Sequence, residues 1–191
     1  TRCKLCPDAL GEAADVAAAD VWPGGAPTGD DEGFNGIIVR TAAGEALVRD
    51  AVLAGALVLG CDSVLELDGR ALGKPGSPEE AVERWRAMRG RNGVLRTGHC
   101  LRDTSTGEER SVTASTTVHF ATPDDEEVAA YVGRGEPLHV AGAFTVDGLG
   151  GAFVRGIEGD HHNVVGVSLP VLREMVVELG HRWTDLWAPP R

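Results

Sequence analysis

Asp62 follows the short apolar run Leu57-Val58-Leu59-Gly60, which reads as a buried strand. A carboxylate where the chain leaves such a strand stands where α/β folds commonly place catalytic groups. It can orient and deprotonate a water, or hold Mg²⁺ or Mn²⁺ through oxygen. The plainer role is a strand-end Asp bonding backbone amides. Ser63 comes next and by itself reads as an ordinary turn serine. Of the 18 basic residues only two, Lys4 and Lys74, are lysine. A chain that otherwise uses arginine invites a specific explanation for a lysine inside a loop. Its compact charge on a flexible stem can reach a phosphate. Asp147 lies in a glycine-rich stretch and precedes Gly148, as a turn Asp would.

Other polar groups are weaker candidates. Glu158 and Asp160 can supply charge, a metal contact or a hydrogen-bonded turn. His161 and His162 are adjacent, so on an extended chain they point opposite ways and do not chelate together. Cys3-Lys4-Leu5-Cys6 has metal or redox spacing but no second pair to complete a zinc site. Cys61 reads as a small buried residue. The glycines at 148–151 lack the Gly-Lys-Ser/Thr ending of a Walker loop.

The elements that must position these residues alternate in type. Gly36 to Arg40 reads as a short strand and 43–53 as a weakly periodic helix, with a breaker-rich acidic loop at 23–33. Val64, Leu65 and Leu67 lead to Asp68-Gly69, a hairpin turn signal. Residues 73–76 form a loop. Ser77-Pro78-Glu79-Glu80 opens a helix with a serine cap, an early proline and a capping-box glutamate, with Ala81, Val82, Trp85 and Met88 on one face and Gly90 as its stop. Two strands, 94–101 and 111–120, flank a polar turn at 103–107. Thr122 to Val132 reads as a helix with an acidic first turn. A strand over 153–157, a polar turn over 158–163 and an amphipathic helix after Ser168 complete the chain. The order predicts an α/β fold with a mixed sheet rather than a regular βαβ array.

With 191 residues and 42% hydrophobic content, the chain can bury one sizeable core. Its formal net charge of −11 disfavours nucleic acid and anionic membranes as partners, yet leaves room for a small anionic ligand held by a few local cations. No apolar run approaches the roughly 18–20 residues of a membrane span. The first residues lack a signal-peptide core. Four irregularly spaced cysteines fit a reducing cytoplasm.

Several motifs recur in an order that resembles the Maf family of nucleotide pyrophosphatases. They are Gly60-Cys61-Asp62-Ser63-Val64, Leu72-Gly73-Lys74-Pro75-Gly76, Arg89-Gly90-Arg91, Thr97-Gly98 and Gly135-Glu136-Pro137-Leu138. They continue through 141–148, Ile157-Glu158-Gly159-Asp160 and Asn163-Val164-Val165-Gly166. The resemblance covers 56–180 and implies a single Maf-like domain over 1–191. Its fold would be like that of the inosine-triphosphate pyrophosphatases, an elongated mixed sheet flanked by helices. The implied reaction is water attack on the α-phosphorus of a nucleoside triphosphate, giving the monophosphate and pyrophosphate, with Mg²⁺ or Mn²⁺ and a homodimeric assembly. By the same resemblance Asp62 is the catalytic acceptor and metal contact, and Lys74 neutralises the triphosphate. Ser63 stands where threonine is common and bears on substrate choice. Asp147 stands where glutamine is common and bears on base recognition. A pyrimidine or modified nucleotide fits the family, although a carboxylate accepts hydrogen bonds only, whereas an amide also donates them.

One departure is plain. The family opens on an apolar strand and a Ser-x-Ser-Pro-Arg-Arg-like loop that grips the phosphates, and residues 1–45 are atypical in carrying no such loop. Arg40 or Arg49 could supply phosphate contacts instead. Two further readings therefore stand beside the enzyme: a catalytically impaired nucleotide-binding or regulatory protein on the same fold, and an interaction protein that uses the fold as a scaffold.

Overall fold

The computed structural model describes strands Val16–Val21 (β1) and Phe34–Val39 (β2) by their backbone, and residues 56–186 in full. The expected helix at 43–53, the acidic loop at 23–33 and the Cys3/Cys6 pair lie outside the described residues. The chain divides into two compact units: Thr1–Gly60 with Asp103–Gly107, and Cys61–Arg102 with Glu108–Arg191. In the first, β1 and β2 pair antiparallel, Val16 opposite Val39. The 103–107 turn is closed by Asp103, whose carboxylate accepts from the Ser105 amide at 2.7 Å. Thr104 donates its amide to Ala56 O at 3.0 Å.

The main sheet has the order β4-β3-β5-β6-β7. Its strands are Leu57–Leu67 (β3), Arg70–Leu72 (β4), Asn92–Asp103 (β5), Glu109–Phe120 (β6) and Val154–Glu158 (β7). The β3–β4, β5–β6 and β6–β7 pairs are antiparallel. Asp68 and Gly69 turn β3 into β4 with φ of 52° and 73°, the two left-handed residues that a tight hairpin requires.

Among the described residues, four α-helices accompany the sheet: Pro78–Met88 (α1), Asp125–Val132 (α2), His161–Val165 (α3) and Leu169–Glu178 (α4). Ser77 caps α1 as its sequence predicts, accepting from the Glu80 amide at 3.2 Å. The Glu80 carboxylate does not complete a capping box; it takes the Gly76 amide at 2.7 Å and so ties down the preceding loop. The cap of α2 is Asp124, with a full capping box to Glu127. The expected polar turn at 158–163 runs into helix α3, whose first turn is capped by Asp160, the side chain accepting from the His162 amide at 3.0 Å.

Alternation along β5 and β6 puts Leu95, Val118 and Phe120 on the buried face, where they join Leu65 and Leu67 of β3. Trp85 of α1 is fully buried among them. Its ring meets Phe120, Tyr131 and Phe153 edge-on at 5.8, 5.7 and 5.5 Å, and its indole N–H donates to Ala143 O at 2.7 Å. Further along the same face the buried groups turn polar: Thr97, His99 and Thr116. His99 Nε2 accepts from the Ser168 amide at 2.9 Å, so its proton sits on Nδ1 and is donated to Thr97 O at 3.0 Å. That bond fixes the start of α4 to the sheet.

Replacing Trp85 with Phe removes the donor to Ala143 O and should lower unfolding stability by ~1–3 kcal/mol; Trp85→Ala should lower it by ~3–5 kcal/mol. Urea denaturation followed by circular dichroism measures both. A Trp85→Phe protein as stable as the parent would mean that the buried bond contributes nothing.

Candidate functional site

Asp62 and Ser63 lie inside β3, not at its end. The strand continues through Asp62 because Ser63, Leu65 and Leu67 keep the two-residue rhythm of the buried face. The expectation of a strand-end Asp is corrected accordingly. Neighbouring residues of a strand point to opposite faces, so Asp62 is set opposite Ser63. β4 pairs only with residues 65–67. Residues 62–63 lie beyond that pairing. Asp62 is exposed and Ser63 half-buried. Cys61 is exposed too, contrary to expectation, since the run 57–60 before it is itself only half-buried.

Lys74 is exposed in the loop between β4 and α1, and the backbone beneath it is tightly held. Gly73 O accepts from the Arg84 guanidinium and from the Gly142 amide, the latter at 3.0 Å. Arg84 also reaches Lys74 O at 3.4 Å and pairs with Glu80 at 2.6 Å. The Gly76 amide and then Arg84 hold the Glu80 carboxyl below the usual glutamate range. A four-residue loop thus gains anchors on α1 and on the glycine-rich segment, and the lysine side chain is presented from a fixed base.

Asp147 is exposed in that glycine-rich segment, which folds as short 3-10 turns. Its scaffold is Glu136. The Glu136 carboxylate accepts from Thr145 Oγ1 at 2.5 Å, the Leu149 and Gly150 amides at 3.1 and 3.0 Å, and the Tyr131 hydroxyl at 3.2 Å. These bonds grip the chain two residues before Asp147 and two residues after it. Burial would push the Glu136 carboxyl up, but the bonds from Thr145, Gly150, Leu149 and Tyr131 outweigh it and hold it low. Burial also pushes the Tyr131 hydroxyl up to about 12, so it remains a donor. A side chain at Gly148 would stand 2.6 Å from the carboxylate, and one at Gly150 would clash with the Tyr131 oxygen. Those glycines are close-approach positions.

Ser63 heads a polar seam that runs into the sheet. Its hydroxyl lies 2.8 Å from Thr97 Oγ1, and Thr97 reaches Asn163 O at 3.4 Å. Asn163 Nδ2 donates to Thr116 Oγ1 at 3.1 Å. Asp160 is consumed as the cap of α3, and Glu158 meets His119 Nε2 at 2.8 Å. His162 bonds Asp160 at 3.2 Å rather than sharing a ligand set with His161. Among the described residues, no group of three or more His, Cys, Asp or Glu is arranged to hold an ion.

All four predicted residues, Asp62, Ser63, Lys74 and Asp147, belong to the second unit. The Gly142–Gly73 bond joins the segments that carry Lys74 and Asp147. Known proteins match the same stretches. The sequence profile described as Maf-like protein matches residues 11–179. The chain belongs to the Maf-like family. The match also takes in residues upstream of 56, where the motifs are not legible by eye. A relative from Streptomyces coelicolor named nucleoside triphosphate pyrophosphatase is 63% identical over 135 residues, which is 71% of this chain and 66% of that protein. Relatives of the same name from Salinispora tropica and Cutibacterium acnes are 58% and 53% identical, covering 69% and 71% of this chain and 58% and 64% of their own lengths. The chain therefore spans somewhat less than two thirds of these relatives.

Arg84 and Glu136 carry no role in the sequence reading. Glu80 and Arg84 are four apart on one helix face, which signals an ion pair but not its hold on the 73–76 loop. For a Maf-like protein, the Glu136 anchor makes a direct prediction. Glu136→Ala should lower the amide-exchange protection factors of Leu149 and Gly150 at least about tenfold, as ~1–3 kcal/mol of hydrogen bonding is lost. A carboxyl held low in the folded state contributes stability above its unfolded pKa and loses it as pH falls through its folded value. In the parent, protection at both amides should therefore drop selectively below the usual glutamate range. Equal protection in parent and variant across that range would refute the anchor.

Proposed function

We propose that this chain is a nucleoside triphosphate pyrophosphatase. The observation that carries the proposal is the join between the Lys74 loop and the Asp147 segment, made by the Gly142 amide on Gly73 O. It ties the Lys74 and Asp147 segments to one scaffold, which supports reading the first as a phosphate cation and the second as a nucleoside contact. The names of the relatives support the same chemistry.

In this reading Asp62 accepts a proton from the attacking water. The water oxygen bonds to the α-phosphorus, the bond from that phosphorus to the bridging oxygen breaks, and pyrophosphate leaves. Lys74 offsets negative charge on the phosphates, where positioning and electrostatics supply most of the rate. Ser63 and Asp147 select the nucleoside, with pyrimidine or modified nucleotides as the first candidates by family resemblance. Asp62 is the residue that would hold a divalent cation, Mg²⁺ or Mn²⁺. One protein carboxylate suits an ion that keeps waters and takes its other ligands from substrate phosphates. Such a cation would neutralise phosphate charge. A homodimer in the cytoplasm, without nucleic-acid or membrane partners, completes the proposal. Among the described residues no helix is long and apolar enough to cross a membrane.

A second reading is nucleotide binding without turnover. Such binding would use the same joined Lys74 and Asp147 segments.

Pyrophosphate release from a panel of standard and modified nucleoside triphosphates, with Mg²⁺ or Mn²⁺, separates the two. The enzyme should turn over at least one of them, Asp62→Asn should lose about 10²-fold or more of kcat, and Lys74→Ala about 10²-fold of kcat/KM. Folded protein that binds nucleotides and releases no pyrophosphate would favour the second reading.

A further inference from the structure

Strand β5 carries two glycines, and packing explains one of them. A Cβ at Gly93 would stand 2.8 Å from Leu65, whereas one at Gly98 would meet nothing within 4 Å among the described residues. Gly98 is not left-handed, and β5 pairs with β6 without a break through Gly98 and Thr113. A strand glycine that answers to no bulge, left-handed turn or crowded neighbour marks a place where a ligand or another backbone comes close. The contacts between β3 and β5 fall along β5 as they rise along β3: Ala56 with Thr104, Ser63 with Thr97, Leu65 with Gly93. The two neighbouring strands are therefore antiparallel. Ser63 and Thr97 meet on the buried face, so Asp62, Arg96 and Gly98 share the other one. Glu66 joins them there, its carboxylate accepting from Arg96 Nε at 2.6 Å. Arg96 Nη1 donates to Ser115 Oγ at 3.1 Å. These bonds fix the guanidinium and leave its remaining N–H donors without a partner among the described residues, with the side chain 45% exposed. One face of the second unit thus carries a carboxylate, a strip of bare backbone and a fixed cation.

We propose that the strip over Gly98 seats the polyphosphate of the nucleotide, with Arg96 as a phosphate-binding cation in addition to Lys74. The proposal rests on the reading of Asp62 as the catalytic carboxylate. Asp62 acts at the α-phosphorus; a cation displaced from it along the face matches the β- and γ-phosphates, which leave as pyrophosphate. The glycine lets an anion lie against the sheet, and a guanidinium offers oxyanions parallel donors. Glu66 and Ser115 already hold Arg96, so little side-chain freedom is lost on binding. A surface ion pair with Glu66 and nothing more would leave Gly98 unexplained.

Isothermal titration calorimetry with pyrophosphate and with UMP, each with Mg²⁺, tests this in the parent, Arg96→Gln, Arg96→Lys and Gly98→Val. Arg96→Gln should weaken pyrophosphate at least about tenfold and leave UMP within about twofold. Arg96→Lys keeps the charge without the fork and should recover part of the loss. Gly98→Val should also weaken pyrophosphate at least about tenfold. Its urea midpoint should stay at or above the parent's, because β-branched residues suit strands. Parental pyrophosphate affinity in folded Arg96→Gln or Gly98→Val overturns the inference, as does equal weakening of pyrophosphate and UMP in Arg96→Gln. A Gly98→Val protein that loses stability shows that the protein itself fills the space, and overturns it too. The reading beneath fails separately: Asp62→Asn with parental turnover of nucleoside triphosphates removes it even where Arg96→Gln loses pyrophosphate. A parent that binds neither pyrophosphate nor any triphosphate overturns both.

Discussion

The lack of a side chain at Gly142 is the constraint on which the candidate site depends. Its φ of 69° is left-handed, and a Cβ there would stand 2.7 Å from Leu65 of β3. Only glycine lets the segment lie this close to the strand while turning its amide to Gly73 O. One residue later, Ala143 carries its carbonyl to the indole of Trp85, and that ring touches sheet, helix and glycine-rich segment together. The site is therefore built on the packed core. The exposed charges of Lys74 and Asp147 sit on backbone that the core and the Arg84 and Glu136 anchors hold in place.

Sequence pattern reveals elements where a local rule decides them. Asp68-Gly69 requires a hairpin, Ser77-Pro78 requires a helix start, and the β-branched run before Phe120 requires a strand. It fails where a distant partner decides. Asp62 reads as the end of an apolar run, yet the strand continues because Ser63, Leu65 and Leu67 find a buried face. Glu80 reads as half of a capping box, but Gly76 and Arg84 compete for its carboxylate and win. Asp160 reads as part of a turn, and one accepted amide makes it the cap of α3.

The site follows the same division. Asp62, Ser63, Lys74 and Asp147 are legible because their motifs are. Thr97 and Asn163 stand within motifs, but the polar seam they form with Ser63 needs the pairing of β3 with β5 and the docking of α3. Glu136 stands in a motif as well, and its hold on both flanks of Asp147 spans up to fourteen residues of sequence. No local rule anticipates such a bond. Motif residues thus fall into exposed groups available to a ligand and buried groups that aim them.

In the proposed function, the Lys74 loop, the Asp147 segment and Ser63 form one nucleotide-binding surface in the second unit. Backbone amide NMR of the full chain, titrated with a non-hydrolysable α,β-methylene nucleotide triphosphate, tests it most directly. The backbone amides within 62–63, 73–76 and 145–150 should shift together with a single dissociation constant. Shifts confined to other residues, or separate constants for the three segments, would contradict it.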